Sequence, residues 1–178
     1  YYADHGGMLN IQTKRGCPYK CSYCSYPTIE GTAIRYRDPE EIAEEALLIK
    51  EKHGVKYLFF ADSVFNDPSE KYLEIAEALI KKEVSLPWCA FFRPHKISRG
   101  QLRLLKRSGL TAMELGTDAT TDDTLSGMKK GFCFSDVLEV HELIGREEIP
   151  CAHYVVFGGP GETEKSLRLR GVIGITLR

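Results

Sequence analysis

"VKYLFFADSVFNDPSEKYLEIAEALIKKEVSLPWCAFF", residues 55–92, decides the fold class. Two apolar runs, VKYLFFA (55–61) and WCAFF (88–92), flank a segment whose apolar positions Leu73, Ala76 and Leu79 recur at helical spacing. The runs are nearly continuous rather than alternating, which predicts strands buried on both faces. Asp67, Pro68 and Glu70 carry the start signal of the helix between them, expected to reach about Lys82. Strand, helix and strand in that order make a unit whose two strands must run parallel.

The same alternation continues outward in both directions. MLNIQTK (8–14) reads as a first strand, and the next helix opens with Asp38 as N-cap, Pro39 at its first position and Glu41 closing a capping box. Its apolar face is Ile42, Ala46 and Ile49, and Gly54 stops it. Beyond residue 92, Ser98 and Gln101 open a helix ending near Gly109, TAMELG (111–116) is a fourth strand, Ser135 caps a helix to about Glu147, and CAHYVVF (151–157) is a fifth strand. The expected architecture is α/β: a partial (βα) TIM-like barrel of parallel strands in one domain over residues 1–178. Only six residues separate Glu164 from the apolar GVIGITL, fewer than the roughly 10 to 12 a parallel crossover needs, so the barrel is expected to be cut short on its C-terminal side.

Composition narrows the function classes. The chain is 178 residues, 43% apolar and 28% charged, enough for one buried core. No apolar run reaches the roughly 20 residues that span a bilayer, and residues 1–7 lack the apolar stretch of a signal peptide. A cytoplasmic location is expected. The 24 basic residues balance the 25 acidic ones, so no global field favours nucleic acid or an anionic membrane. In a reducing compartment, closely spaced cysteines point to metal ligation or catalysis rather than disulfides.

Three of the six cysteines, Cys17, Cys21 and Cys24, lie in one loop, RGCPYKCSYC (15–24), after the first strand. Gly16 and Pro18 break regular structure there, so the loop is expected to wrap around something. Three thiolates are one short of the usual four of a closed zinc or iron-sulfur site. A cluster held at three irons leaves the fourth open, as a catalytic zinc keeps a position for substrate. A zinc site completed by His5 or His53 is the alternative from the residues alone, although neither histidine has a ligand-like spacing to the cysteines.

The triplet Cys17-x-x-x-Cys21-x-x-Cys24 behind the first strand of a (βα) array resembles the radical S-adenosylmethionine (radical SAM) superfamily, and the likeness extends over nearly the whole chain. The resemblance implies a 4Fe-4S cluster on Cys17, Cys21 and Cys24. Its open iron would chelate S-adenosylmethionine, and reductive cleavage would give methionine and a 5'-deoxyadenosyl radical. It places Tyr23 against the adenine, Asp62 and Ser63 at the methionine amino group, and Glu114 and Asp118 at the ribose hydroxyls. Arg93, at the rim after the third strand, is a candidate partner for a carboxylate of cofactor or substrate. VVFGGPGETE (155–164) resembles the family's glycine-rich stretch, with Val155 and Val156 beside the adenine, Gly158, Gly159 and Gly161 allowing close backbone approach, and Glu162 bracing the loop.

Within the superfamily, GGMLNIQTKRGCPYKCSYCSYPTIEG (6–31), RYRDPEEI (35–42) and FFADSVFN (59–66) look like the class in which a cobalamin-binding domain precedes the radical domain. That likeness implies a methylation or rearrangement of a lipid-like or other small-molecule substrate, with cobalamin held on a domain absent from this chain and an electron donor such as flavodoxin or ferredoxin. The alternatives are a cobalamin-independent radical enzyme of tRNA modification or oxidation, and a non-enzymatic iron-sulfur or zinc-binding module. Lys14, Arg15, Lys20, Arg35 and Arg37 are expected to be mainly solvated charges. Cys89, Cys133 and Cys151 read as small core residues, and His95, His141 and His153 have no spacing that suggests a metal.

Overall fold

The computed structural model describes residues 7–168. The expected strands form one parallel five-stranded sheet, and a short hairpin stands apart from it. In chain order the strands are β1 (Met8–Ile11), β2 (Lys14–Arg15), β3 (Arg35–Tyr36), β4 (Tyr57–Phe60), β5 (Trp88–Phe92), β6 (Leu110–Asp118) and β7 (Cys151–Val155). The helices are α1 (Tyr26–Glu30), α2 (Pro39–His53), α3 (Tyr72–Lys81), α4 (Arg99–Arg107), α5 (Asp122–Gly127) and α6 (Phe134–Arg146). The sheet order is β1-β4-β5-β6-β7, every pairing parallel, with helices making each crossover. Sequential parallel strands in spatial order give the α/β, partial TIM-like architecture that the alternation predicts.

One face of the sheet carries the core. Leu58, Phe60, Trp88, Ala90, Leu110, Met113 and Leu115 pack there against Ile42 and Ala46 of α2, Ile75 and Leu79 of α3, Leu102 and Leu105 of α4, and Val140 and Ile144 of α6. Trp88 meets Phe60 edge-on at 5.1 Å and Phe65 at 5.2 Å, and its indole N–H donates to Ser108 O at 3.0 Å. The opposite face holds Phe59, Phe91, Glu114 and Tyr154 and is only partly covered, with Phe91 37% and Tyr154 50% exposed. Burial on both faces, expected for VKYLFFA, is therefore incomplete: alternate residues of β4 are fully and partly buried.

Local signals hold for two helices and shift for two. Asp38 caps α2 through the backbone N–H groups of Glu40 and Glu41, without the return bond to Glu41 that the expected capping box requires, and Gly54 ends it in the left-handed region. Ser98 and Gln101 close a reciprocal capping box on α4. At α3 the helix starts at Tyr72 instead, because Asp67 is turned inward to an ion pair and Glu70 takes a left-handed φ of 60°. The cap of α6 is Cys133 rather than Ser135, with Asp136 closing the box on the Cys133 N–H at 2.8 Å. The segment GVIGITL lies outside the described residues.

Candidate active site

Parallel strands bring all their carboxyl ends to one rim of the sheet, and the loops leaving those ends build the site. The cysteine loop enters there through a narrow neck. β2 and β3 pair antiparallel, Lys14 opposite Tyr36 and Arg15 opposite Arg35, so the chain between them is pinched at its base. Gly16 sits in the neck with φ 94°, and a Cβ on it would lie 2.2 Å from Ala33 O. No side chain fits that approach. The Gly16 N–H donates to Glu30 Oε2 at 3.2 Å and the Cys17 N–H to Gly31 O at 3.1 Å, which locks the start of the loop to the end of α1.

Within this loop Cys17 is buried and Cys21 and Cys24 half-buried, all three as free thiols. They border a single cavity of about 150 Å³, together with Tyr19, Tyr23 and Tyr26 from the loop region. Ser63 and Val64 after β4, Phe91, Phe92 and Arg93 at the end of β5, Gly116 of β6, and Lys130 complete its wall. Burial pushes the Cys21 thiol above its usual range, against the pull of Lys130 and Arg93.

Two buried cations stand over the thiols. The Arg93 guanidinium lies 4.0 Å from the centre of the Tyr19 ring and 4.7 Å from that of Phe132. Its backbone is pinned by Asn66, which accepts from the Arg93 N–H at 2.8 Å and donates to its carbonyl at 2.9 Å. Arg93 is only 7% exposed, and its Nε has no hydrogen-bond partner among the described residues. A buried guanidinium with an unused donor favours an anionic neighbour. Lys130 pairs with Asp118 at 2.6 Å, and the Tyr23 hydroxyl donates to the same carboxylate. Burial and then that hydrogen bond push the Tyr23 phenol far above its usual range.

The residues expected from the resemblance thus divide. Cys17, Cys21, Cys24, Tyr23, Ser63 and Arg93 border the cavity. Asp62 does not: it accepts from the Thr13 and Lys14 backbone N–H groups at 2.8 and 3.3 Å and from the Thr13 hydroxyl, stapling β4 to the segment after β1. Asp118 has a left-handed φ of 61°, follows a register shift between β6 and β7, and is committed to Lys130 and Tyr23. The Glu114 carboxylate raises the pKa of the nearby Tyr154 phenol, and its Oε2 is buried without a partner among the described residues. Val156 donates its N–H to Asp118 O at 2.9 Å, and the Glu162 carboxylate accepts from the Gly158 N–H, the expected brace. Gly159 packs on Met128, whose Cε would lie 2.1 Å from an added Cβ.

Lys14 corrects the expectation of a solvated charge. It is 4% exposed, with Nζ 2.8 Å from Asp67 Oδ2 and 2.5 Å from Phe65 O. Arg37 stays exposed as expected, while binding Glu45 at 2.6 Å and Gln12 O at 2.9 Å. Sequence reasoning missed Tyr19, Lys130 and Phe132. Tyr19 was visible as an aromatic between two ligand-type cysteines, whereas Lys130 and Phe132 follow α5 without any motif of their own.

Comparison with known proteins identifies the family and the fold. Residues 11–169 match the sequence profile of the Radical SAM superfamily. The bacteriochlorophyllide d C-12(1)-methyltransferase of Chlorobaculum tepidum is 27% identical over 90% of this chain and 36% of its own length. The anaerobic magnesium-protoporphyrin IX monomethyl ester cyclase of Synechocystis is 30% identical over 83% of this chain and 30% of its own. Among solved structures, the radical S-adenosylmethionine methyltransferase TsrM of Kitasatospora setae, with tryptophan substrate and a SAM analogue bound, superposes with a TM-score of 0.90 at 24% identity, covering 99% of this chain and 35% of that one. A second TsrM structure, holding cobalamin and a [4Fe-4S] cluster, gives 0.87 at 23% identity over 96% of this chain and 34% of that one. The chain spans about a third of the length of each of these proteins. Among the described residues, no helix is long and apolar enough to cross a membrane.

Proposed function

Because the chain belongs to the radical SAM superfamily, we propose that it is the catalytic core of an enzyme that binds a 4Fe-4S cluster through Cys17, Cys21 and Cys24 and uses it on S-adenosylmethionine. The observation that carries this reading is the convergence of three free thiols on one cavity beside a buried guanidinium whose Nε has no partner among the described residues. The donor set suits iron-sulfur ligation, which takes thiolates, and three of them leave one position for a substrate. When bound, the cluster supplies the electron that cleaves the sulfonium of S-adenosylmethionine to methionine and a 5'-deoxyadenosyl radical.

The chain's own residues hold and shield that chemistry. The neck at Gly16 and Ala33 fixes the loop so that its thiols share one wall. Arg93 and Lys130 place positive charge beside the thiolates, which lowers the cost of holding several negative sulfurs in a partly dry site. Arg93, rigid between Tyr19 and Phe132, is the group to receive a carboxylate, and Ser63 offers a hydroxyl from the β4 rim. Tyr23 presents a half-exposed ring whose orientation Asp118 fixes, a flat surface suited to adenine. Asp62 acts beneath the site by holding the Thr13–Lys14 turn.

The finer reading is methyl transfer or rearrangement on a small or lipid-like carbon skeleton, with cobalamin held by a part of the protein outside residues 1–178 and electrons from a flavodoxin- or ferredoxin-type donor. The names of the methyltransferase and cyclase relatives support it. Anaerobic reconstitution with iron and sulfide, followed by S-adenosylmethionine and reductant, should yield 5'-deoxyadenosine from the full-length protein. Cys17→Ala, Cys21→Ala and Cys24→Ala should each lose iron and product together while keeping the native circular dichroism. Product formation that survives loss of any one of these cysteines would overturn the assignment.

A further inference from the structure

On the helix-covered face of the sheet, away from the cysteine cavity, three soft ligands meet. Cys151 and His153 alternate with Ala152 and Tyr154 on β7, so both point toward α6, and α6 contributes His141. His141 Nδ1 lies 3.0 Å from His153 Nε2, and Cys151 Sγ lies 3.7 and 3.9 Å from those two nitrogens. Around a tetrahedral zinc, with Zn–N near 2.0–2.1 Å and Zn–S near 2.3 Å, two nitrogens stand about 3.3 Å apart and nitrogen and sulfur about 3.6 Å apart. The observed triangle matches within a few tenths of an ångström.

Beyond the three ligands, the Thr117 hydroxyl of β6 lies 2.7 Å from His153 Nδ1. A proton on Nδ1, donated to Thr117, leaves the Nε2 lone pair aimed at His141 and Cys151, which is the supporting contact that metal-bound histidines usually have. Thr117 is 1% exposed, so this partner is itself held in place. The sequence hid the arrangement, since His141 and the Cys151-Ala-His153 pair are joined only by the packing of α6 on β7. Cys151 packs against the core as expected, and the fold sets beside it two imidazoles whose approach no sequence spacing shows.

We propose that His141, Cys151 and His153 form a second metal site, binding one borderline-soft divalent first-row ion, with zinc the best match to two imidazoles and one thiolate. Binding releases the Cys151 thiol proton, keeps both imidazoles neutral and leaves the fourth position for water or another donor. The ion would clamp α6 to β7. It is separate from the cysteine loop in place and in ligand type.

The test uses the full chain, reconstituted anaerobically with iron and sulfide, incubated with zinc sulfate and desalted. Metal analysis should find one zinc beyond the iron, and His153→Ala or Cys151→Ser should remove that zinc while the iron content holds. Because the cysteine loop can itself capture zinc, C17A/C21A/C24A is assayed in parallel; it should still bind one zinc, and lose it when Cys151→Ser is added. Thr117→Val, a mild change, should weaken zinc binding about 10- to 100-fold. Cobalt(II) in the C17A/C21A/C24A background should give a thiolate charge-transfer band that disappears in Cys151→Ser. Absence of retained zinc, or zinc and cobalt signals indifferent to His153, Cys151 and Thr117 in folded protein, overturns the proposal and marks the cluster as hydrogen-bonded packing.

Discussion

Lys14 and Asp67 form a buried pair that does its work by holding the base of the cysteine loop. Burial alone would raise the Asp67 carboxyl, but the Lys14 ammonium, with hydrogen bonds from Ser69 and Tyr36, outweighs it and holds the group below its usual range. A carboxylate lowered in the folded state stabilises the fold above its unfolded value near 3.9, and this contribution is lost as pH falls through the lowered value. Asp67→Asn leaves a buried ammonium short of its partner and should cost about 3 kcal/mol at pH 7, a drop in Tm of roughly 6–12 °C. The gap between wild type and variant should narrow below pH of about 4, as thermal scans across pH would show; a constant gap would contradict the pairing. The gathering of Cys17, Cys21 and Cys24 on one loop was legible as residue spacing, while the burial of Lys14 was not, because a lysine beside a polar loop looks solvated until the fold brings Asp67 across from 53 positions away.

At the scale of elements, three segments interlock around the end of α5. Ser22 of the cysteine loop donates its N–H to Met128 O at 3.0 Å, and Pro160 of the glycine-rich loop lies so near α5 that a Cβ on Gly127 would sit 2.3 Å from its carbonyl oxygen. Gly127→Ala must therefore displace backbone, whereas Gly159→Ala meets the flexible end of Met128. Gly127→Ala should lower Tm more than Gly159→Ala and should also reduce iron retention after reconstitution, since it strains the segment that Ser22 is tied to. Gly16→Ala combines a left-handed φ with a contact 2.2 Å from Ala33 O, and a loss of at least 1–3 kcal/mol with poor iron loading is expected. Equal stability of Gly16→Ala and wild type in urea titration would contradict that neck geometry. Helix starts such as Ser98 with Gln101 were readable because capping is local; the true start of α3 was not, since Asp67 obeys a distant ammonium rather than its own helix.

For the whole molecule, the alternation of apolar runs and helical faces was sufficient to foresee a parallel sheet, its strand sequence and the rim where the cysteine cavity lies. What it did not foresee were juxtapositions across that sheet, Lys130 over Tyr23 and His141 against His153, because neither depends on periodicity. The single tryptophan reports on the shared core: Trp88 is 1% exposed among Phe60, Phe65 and the α4 end. Its emission should shift to the red in the same urea transition that removes helical circular dichroism, and separate transitions would mean that the sheet and its helices do not unfold as one unit. The pinched base of the cysteine loop also bears on the timing of cofactor acquisition. With its two ends joined by β2 and β3, the loop has its closure entropy met by the fold rather than by a metal. If the loop holds the proposed cluster, its loading on the folded chain should proceed at a rate insensitive to mild urea that leaves the sheet intact.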